Sequence, residues 1–396
     1  MKIGIAVWNL DISGGTERQA LELARQMQRN GHDVEVYCAY FDPVKCFPDF
    51  IREVKNIRFL EPRHQKRDSM TLRTLFYWDL FSKRSKDLGR LMSSDLDVLN
   101  CHEYTTFIAG TYFNKGTGVP VVGMINDVPS VGGVYVPRDD PWRFPLSWLK
   151  RELFRSAIKS MDRLVVLDEI NRGRLERHYR VDSAIVRSGL DLDRFAFKER
   201  KSCSEQVRIL SNGNFFPWRR YEDLIGALRI LVHEGVPFHM NHIGTDALCA
   251  SYASKIKRLV ERYQLSDFVT FHGYVNEKRF FEIYSTSDVF VFPNYPQTWG
   301  LAVFEAMGCG IPVIVNSGCG AAEVLRDRET ALIVPPRSPS EIAKAIRRLV
   351  EDADLYSRLS RKGRDLVEKE ISWEIYGDKM LEQFHEVARS RGQRRG

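Results

Sequence analysis

MKIGIAVWNLDISGGTERQALELARQMQRNGHDVEVYCA, residues 1–39, switches from one structural period to another and back. Ile3 to Val7 is a short apolar run, suited to a strand buried on both faces. Ser13-Gly14-Gly15 follows as a turn. From Thr16 to Asn30 the apolar residues Ala20, Leu23, Ala24 and Met27 fall on one helical face. Gly31 stops the helix, and Val34 to Ala39 starts a second strand. Strand, glycine turn, helix, strand is one unit of a doubly wound parallel sheet.

The unit recurs along the chain. Val98–Cys101, Pro120–Ile125, Arg163–Leu167 and Ala184–Arg187 read as further strands, with a charged helix at Glu169–Tyr179. Leu190 to Glu205 is polar and without period, a linker. The pattern then restarts with strands at Arg208–Ser211, Phe238–Ile243, Val269–His272, Val289–Phe292, Pro312–Val315 and Ala331–Val334. Helices are expected at Tyr221–Val232, Pro339–Val350 and Trp373–Arg389. The expected fold class is α/β, with two Rossmann-like doubly wound domains, 1–192 and 193–373, facing across a cleft at the carboxyl ends of their strands.

Composition narrows the class. The 396 residues are 43% hydrophobic and 28% charged with a formal charge of +7, a globular balance that suits anionic ligands. No arginine-rich run alternates with stacking aromatics, so no nucleic-acid partner is expected. The cysteines are Cys38, Cys46, Cys101, Cys203, Cys249, Cys309 and Cys319, an odd number with no C-x-x-C pair. They point to a reducing compartment, and with no spanning run or signal peptide the expected location is cytoplasmic.

The segment most charged with chemistry is Pro296–Val324, PQTWGLAVFEAMGCGIPVIVNSGCGAAEV. After the strand at Val289–Phe292 the chain runs through a loop into a helix, where the Gly300 and Leu301 N–H groups can meet a phosphate or a sugar hydroxyl. Glu305, about one turn further in, suits two neighbouring ribose hydroxyls, since a carboxylate accepts both hydrogen bonds. The same residues also fit a plain strand–loop–helix with a surface glutamate.

The segment resembles the signature of family 4 glycosyltransferases (glycosyl transferases group 1), a retaining family of the GT-B fold. Glu305 matches the second glutamate of its E-x7-E pattern, Ala306 to Gly310 its small-residue turn, and Pro312-Val313-Ile314 the next strand. Ser188-Gly189-Leu190-Asp191 resembles the start of its linker and His272-Gly273-Tyr274-Val275 its G-x-V turn. Ser372-Trp373 resembles the start of its final helix, which implies that 374–396 returns to the N-terminal domain. The resemblance implies an acceptor-binding N-terminal domain and a nucleotide-sugar-binding C-terminal one. Gly14-Gly15 with Glu17 matches the family's first glycine loop, which implies Gly15 as a donor contact; the turn alone also explains the glycines.

Departures from the pattern are as informative. In NGNFFPWRRYEDL, residues 212–224, the family's arginine position holds Asn214 and its lysine position Arg219, with Arg220 beside it. Arg219 keeps a cation for the diphosphate, and Asn214 does not. The first glutamate of E-x7-E is Gln297, and the family's histidine near the reacting carbon aligns with Asn126. Neither can act as a base. A front-face mechanism tolerates this, because the leaving phosphate oxygen takes the acceptor's proton. The expected catalytic set is thus Arg219, Asn126, Gln297 and Asp127. Arg219, Arg220, Asn214, Gly15, Gly300, Leu301 and Glu305 would bind the donor, and His102 and Asp127 the acceptor.

The expected partners are a UDP- or GDP-linked sugar and a glycan or lipid-linked acceptor. No metal or other cofactor is expected: the chain lacks a D-x-D pair in a suitable loop, Asp139-Asp140 lying in a proline-flanked turn. The basic, apolar stretch Trp142–Arg163 fits a domain helix or a peripheral contact with the inner membrane, and Phe76, Tyr77, Trp78 and Phe81 fit either core or acceptor-site border. A catalytically silent GT-B protein that binds a nucleotide or a partner transferase is the competing expectation, motivated by Asn126, Asn214 and Gln297.

Overall fold

The computed structural model describes residues 1–60, 83–128, 144–296 and 299–395, with the side chains of 144–151 and 391–395 left aside. Gln297, Asp139-Asp140, the aromatic cluster at 76–81 and the start of the basic stretch at Trp142 lie outside the described residues. The chain divides into two compact units, Met1–Ser188 with Trp373–Gly396 and Gly189–Ser372. The division falls within the Ser188-Gly189-Leu190-Asp191 turn, slightly before the expected boundary.

The first unit holds a seven-stranded sheet in the order β3-β2-β1-β4-β5-β6-β7. Its strands are β1 (Lys2–Leu10), β2 (Asp33–Phe41), β3 (Ile57–Phe59), β4 (Val98–His102), β5 (Val121–Ile125), β6 (Arg163–Val166) and β7 (Ala184–Ile185). All pairings are parallel, with Ile3 opposite Val34 on one side and Val98 on the other. Ile3, Ile5, Ala6 and Val7 are fully buried, as expected of a strand covered on both faces. The helix Gly15–Arg29 turns Ala20, Leu23, Ala24 and Met27 inward. On it lies the final helix, Trp373–Arg395, whose Gly377 allows the approach: a Cβ there would stand 2.5 Å from Gln26 Cγ. Arg163 on β6 ties the same helix down through Gln383 at 2.8 Å and Glu386 at 3.1 Å.

The second unit holds a six-stranded parallel sheet, β10-β9-β8-β11-β12-β13. The strands are β8 (Val207–Asn212), β9 (Phe238–Ile243), β10 (Val269–Gly273), β11 (Val289–Phe292), β12 (Val313–Asn316) and β13 (Leu332–Val334). In both sheets the first strand of the unit sits mid-sheet. Strand order reverses on its far side, between β1 and β4 and between β8 and β11. Loops leaving such a pair diverge and expose the carboxyl ends of the strands, where open α/β sheets bind ligands.

Several elements differ from expectation. β3 is three residues long, too short for a periodic signal, and the helix Ala353–Glu370 was not anticipated. The helix Phe144–Lys159 turns apolar residues into its own unit: Ile158 is fully buried, and Phe154 meets Tyr104 edge-on at 4.6 Å. Among the described residues no helix is long and apolar enough to cross a membrane.

Candidate functional site

In the C-terminal unit three glycines lie at the carboxyl ends of neighbouring strands. Gly213 follows β8, Gly244 follows β9, and Gly273 ends β10. Gly244 N–H donates to Gly273 O at 3.0 Å, and its φ of +153° is one that only glycine adopts readily. A Cβ on Gly244 would stand 2.1 Å from Gly213 O, so the two backbones touch directly. Asn214, the next residue, accepts a hydrogen bond from Thr245 N at 3.1 Å through Oδ1. The amide that replaces the expected cation thus joins two loops.

The two arginines that follow are used differently. Pro217–Arg219 forms a 3-10 turn that carries the Arg219 side chain back across Gly213, its guanidinium 5.9 Å from the centre of the Phe292 ring at the end of β11. Arg219 Nε is buried and has no hydrogen-bond partner among the described residues. Arg220, in a left-handed conformation, caps the helix Tyr221–His233. Its guanidinium grips Asp223 at 2.8 and 2.9 Å and Glu222 at 3.0 Å. Arg220 was expected to bind donor beside Arg219; its charge is instead neutralised by its own helix, which leaves Arg219 as the cation the loop presents.

Across the same switch point, Gly300 takes a left-handed conformation (φ 75°, ψ 59°) and starts the helix Leu301–Gly308. The first N–H groups of a helix have no partner within it. Trp299, just before Gly300, is buried and packs on Phe304 with ring centres 4.6 Å apart. That pair spans the helix start as a hydrophobic staple and fixes the direction of the N-terminus. Glu305 receives a hydrogen bond from Tyr284 Oη at 3.4 Å, and Tyr284 Oη in turn accepts one from Asn212 Nδ2 at 2.9 Å. Burial first and then the Glu305 charge push the Tyr284 phenol well above its ordinary value, so it stays a donor. Tyr284 and Asn212 orient the Glu305 carboxylate, and sequence reasoning missed both.

The N-terminal unit repeats the geometry with opposite charge. Gly14 precedes the helix Gly15–Arg29, and the space a Cβ of Gly15 would enter is open. A Cβ on Gly14 would meet Glu17 Oε2 at 2.4 Å, so this glycine makes room for a buried carboxyl whose pKa burial raises. Facing the loop from the end of β4 is Glu103, and from the end of β5 Asn126 and the exposed Asp127. Thr16 Oγ1 donates to Glu103 Oε1 at 3.4 Å and accepts from Asn126 Nδ2 at 3.1 Å. The Asn126 backbone N–H also donates to Glu103 Oε1, at 3.3 Å. Burial, and after it the Asp127 charge, push Glu103 up to about 8.

His102 is placed otherwise than expected. It ends β4 with its side chain fully buried, both ring nitrogens lack partners among the described residues, and burial lowers its pKa to about 3. A neutral histidine inside the sheet does not reach an acceptor. The neighbouring Glu103 occupies the surface that His102 was expected to hold.

Two doubly wound units, each with a glycine loop and a helix start at its switch point, define the GT-B class of fold. The Glycosyltransferase Family 4 model matches residues 13–194 and the Glycosyl transferases group 1 model residues 193–366, and the chain belongs to this glycosyltransferase family. A D-inositol 3-phosphate glycosyltransferase of Streptomyces scabiei is 24% identical over 279 residues, which are 66% of this chain and 62% of that relative. The chain therefore spans less than two thirds of that relative's length. An uncharacterized glycosyltransferase of Methanocaldococcus jannaschii is 22% identical across 94% of this chain and 95% of its own. The structure of Anabaena HepE in complex with UDP and glucose superposes with a TM-score of 0.74 at 14% identity, over 98% of this chain and 100% of that one. At that identity the likeness is one of fold.

Proposed function

We propose that the chain is a retaining hexosyltransferase that moves a sugar from a UDP- or GDP-linked donor to a glycan or lipid-linked hydroxyl. The observation that carries the reading is the placement of Arg219 after β8 and of Glu305 in the helix after β11, on the two sides of the switch point. One supplies a cation whose buried Nε has no described partner, and the other a carboxylate held by Tyr284. A diphosphate suits the first together with the helix N-terminus at Gly300 and Leu301; a ribose diol suits the second.

In the front-face scheme, the bond from the anomeric carbon to the β-phosphate oxygen breaks first. The acceptor oxygen then bonds to the same face of that carbon, and its proton passes to the departing phosphate oxygen. No protein base is required, so Asn126 and Gln297 can serve by holding sugar hydroxyls. Arg219 and the helix N–H groups stabilise the charge that grows on the diphosphate, and no metal is needed for that step. On the N-terminal unit, the Asp127 and Glu17 carboxyls disfavour a phosphorylated acceptor of the kind named for the Streptomyces relative and favour a neutral hydroxyl. A role in cell-envelope or exopolysaccharide synthesis follows the family resemblance. Cytoplasmic work fits cysteines that are all free.

The test is thermal stabilisation by UDP, GDP and ADP in EDTA, repeated with Glu305→Ala. One base class should raise the Tm. Loss of two charge-assisted hydrogen bonds should weaken its binding by about a hundredfold or more in the variant. Asn214, already committed to Thr245, favours the silent-binder alternative. Stabilisation by UDP or GDP with no release of nucleotide from any of their sugar conjugates would select it, and no stabilisation by any nucleotide would remove both.

A further inference from the structure

The backbone of Glu103 has φ 66° and ψ 149°, a conformation that is essentially glycine's alone and costs a residue with a side chain roughly 1–3 kcal/mol. It lies where β4 hands over to the helix Tyr104–Thr117. The surroundings hold it there on three sides. Glu103 N–H donates to Met124 O at 2.8 Å, and Glu103 O accepts from Thr106 N at 3.0 Å and from Thr106 Oγ1 at 2.9 Å. The side chain that this strained backbone aims closes a ring: Asn126 Nδ2 to Thr16 Oγ1, Thr16 Oγ1 to Glu103 Oε1, and Asn126 N–H to the same Oε1. Asn126 O accepts from Asn171 Nδ2 at 3.1 Å, which pins the residue from its other side. What remains of the amide is Oδ1, buried and accepting nothing among the described residues.

We propose that Glu103 is the positioning residue of the N-terminal site, tying Asn126 to the glycine-loop helix so that the amide is presented to a sugar hydroxyl. The inference rests on the transferase reading above. Glu103 acts through Asn126 and Thr16. Both bonds to Oε1 can be made by the carbonyl oxygen of a neutral acid as well as by a carboxylate. The charged groups facing Glu103 are Asp127 beyond β5 and Glu17 on the 15–29 helix; both repel a negative charge and, with burial, keep the acid protonated to about 8. Ionisation above that pH strengthens the bonds to Asn126 and Thr16 while pushing Asp127 and Glu17 away. The same ring of bonds is thus held more strongly by the ionised than by the protonated acid.

The test needs no identified acceptor. Protein carrying 15N only in asparagine is titrated from pH 6 to 9.5, and the Asn126 amide is assigned by its loss in Asn126→Ser. In the wild type this resonance should shift with a midpoint near 8. Glu103→Gln keeps the accepting oxygen without the proton, so the resonance should stay in place without titrating. An Asn126 amide that does not titrate, or titrates alike in wild type and Glu103→Gln, overturns the proposal. UDP release from UDP-glucose is the second readout. Glu103→Gln should lose the rate change that the wild type shows near pH 8, whereas Glu103→Ala should lose at least tenfold in kcat while the nucleotide still raises its Tm. Equal rates for Glu103→Ala and wild type also overturn it. Failure of UDP and GDP alike to stabilise the wild type would instead strike the donor reading, whose nucleotide-binding residues lie in the other unit.

Discussion

Arg219 and Arg220 are adjacent, equally charged and indistinguishable by composition, yet they sit in different electrostatic settings. Arg220 is a bidentate partner of Asp223, whose carboxylate is nearly buried. Removing it in Arg220→Ala leaves that carboxylate without its main donor and should cost about 1–3 kcal/mol of stability, with nucleotide affinity little changed. Arg219→Ala should do the reverse. Its Nε has no described partner to lose, so chemical melts should move little, while turnover should fall roughly 10²–10³-fold if it stabilises the leaving phosphate. Urea melts and nucleotide titrations on the two variants separate the roles. The opposite outcome, with Arg219→Ala unstable and Arg220→Ala unable to bind, would reverse the assignment. His102 and Glu103 give the same lesson on the other unit. A free histidine titrates near neutrality and so attracts functional attention in a sequence. Here the strand buries it, and the glutamate beside it moves toward the neutral range.

At the scale of elements, the strands were readable because parallel strands buried on both faces are written as unbroken apolar runs, as in Ile3–Val7 and Val289–Phe292. The helix Leu301–Gly308 was readable in position but not in its support. Trp299 looks like any buried aromatic until it is seen to span the helix start against Phe304. Trp299→Ala removes a fully enclosed indole and should destabilise by about 3–5 kcal/mol. Because it also frees the direction of the helix N-terminus, nucleotide affinity should fall further than in Trp299→Phe, measured where both variants are fully folded. Equal affinities would show that the staple serves stability alone. Tyr284 and Asn212 escaped notice for a related reason. They come from a helix and a strand that meet only in the folded sheet, and nothing in their spacing to Glu305 announces the contact.

At the scale of the whole molecule, buried titratable groups set how stability depends on pH, and their signs can be worked out. His102 and His242 are lowered from 6.5 to about 3 by burial. Their unfolded forms take up protons that the folded forms refuse, so stability falls as pH drops below about 6.5. Glu103 has the opposite sign. Raised from 4.5 to about 8, it holds a proton in the folded state that the unfolded chain has already lost, so stability falls as pH climbs across that interval. Between 4.5 and 6.5 the lowered histidines, His32 and His272 among them, outweigh the raised carboxyls of Glu103 and Glu17; above 6.5 only the carboxyls act. The Tm should therefore peak near pH 6.5 and decline on both sides, each uncompensated proton contributing about 1.4 kcal/mol per pH unit. His242 packs among Phe215, Tyr221 and Phe271. His242→Phe, in that aromatic nest, should flatten the acid limb and leave the alkaline one unchanged. Melting curves from pH 4.5 to 9 decide it: an acid limb as steep in the variant as in the wild type would mean that His242 is protonated inside the fold.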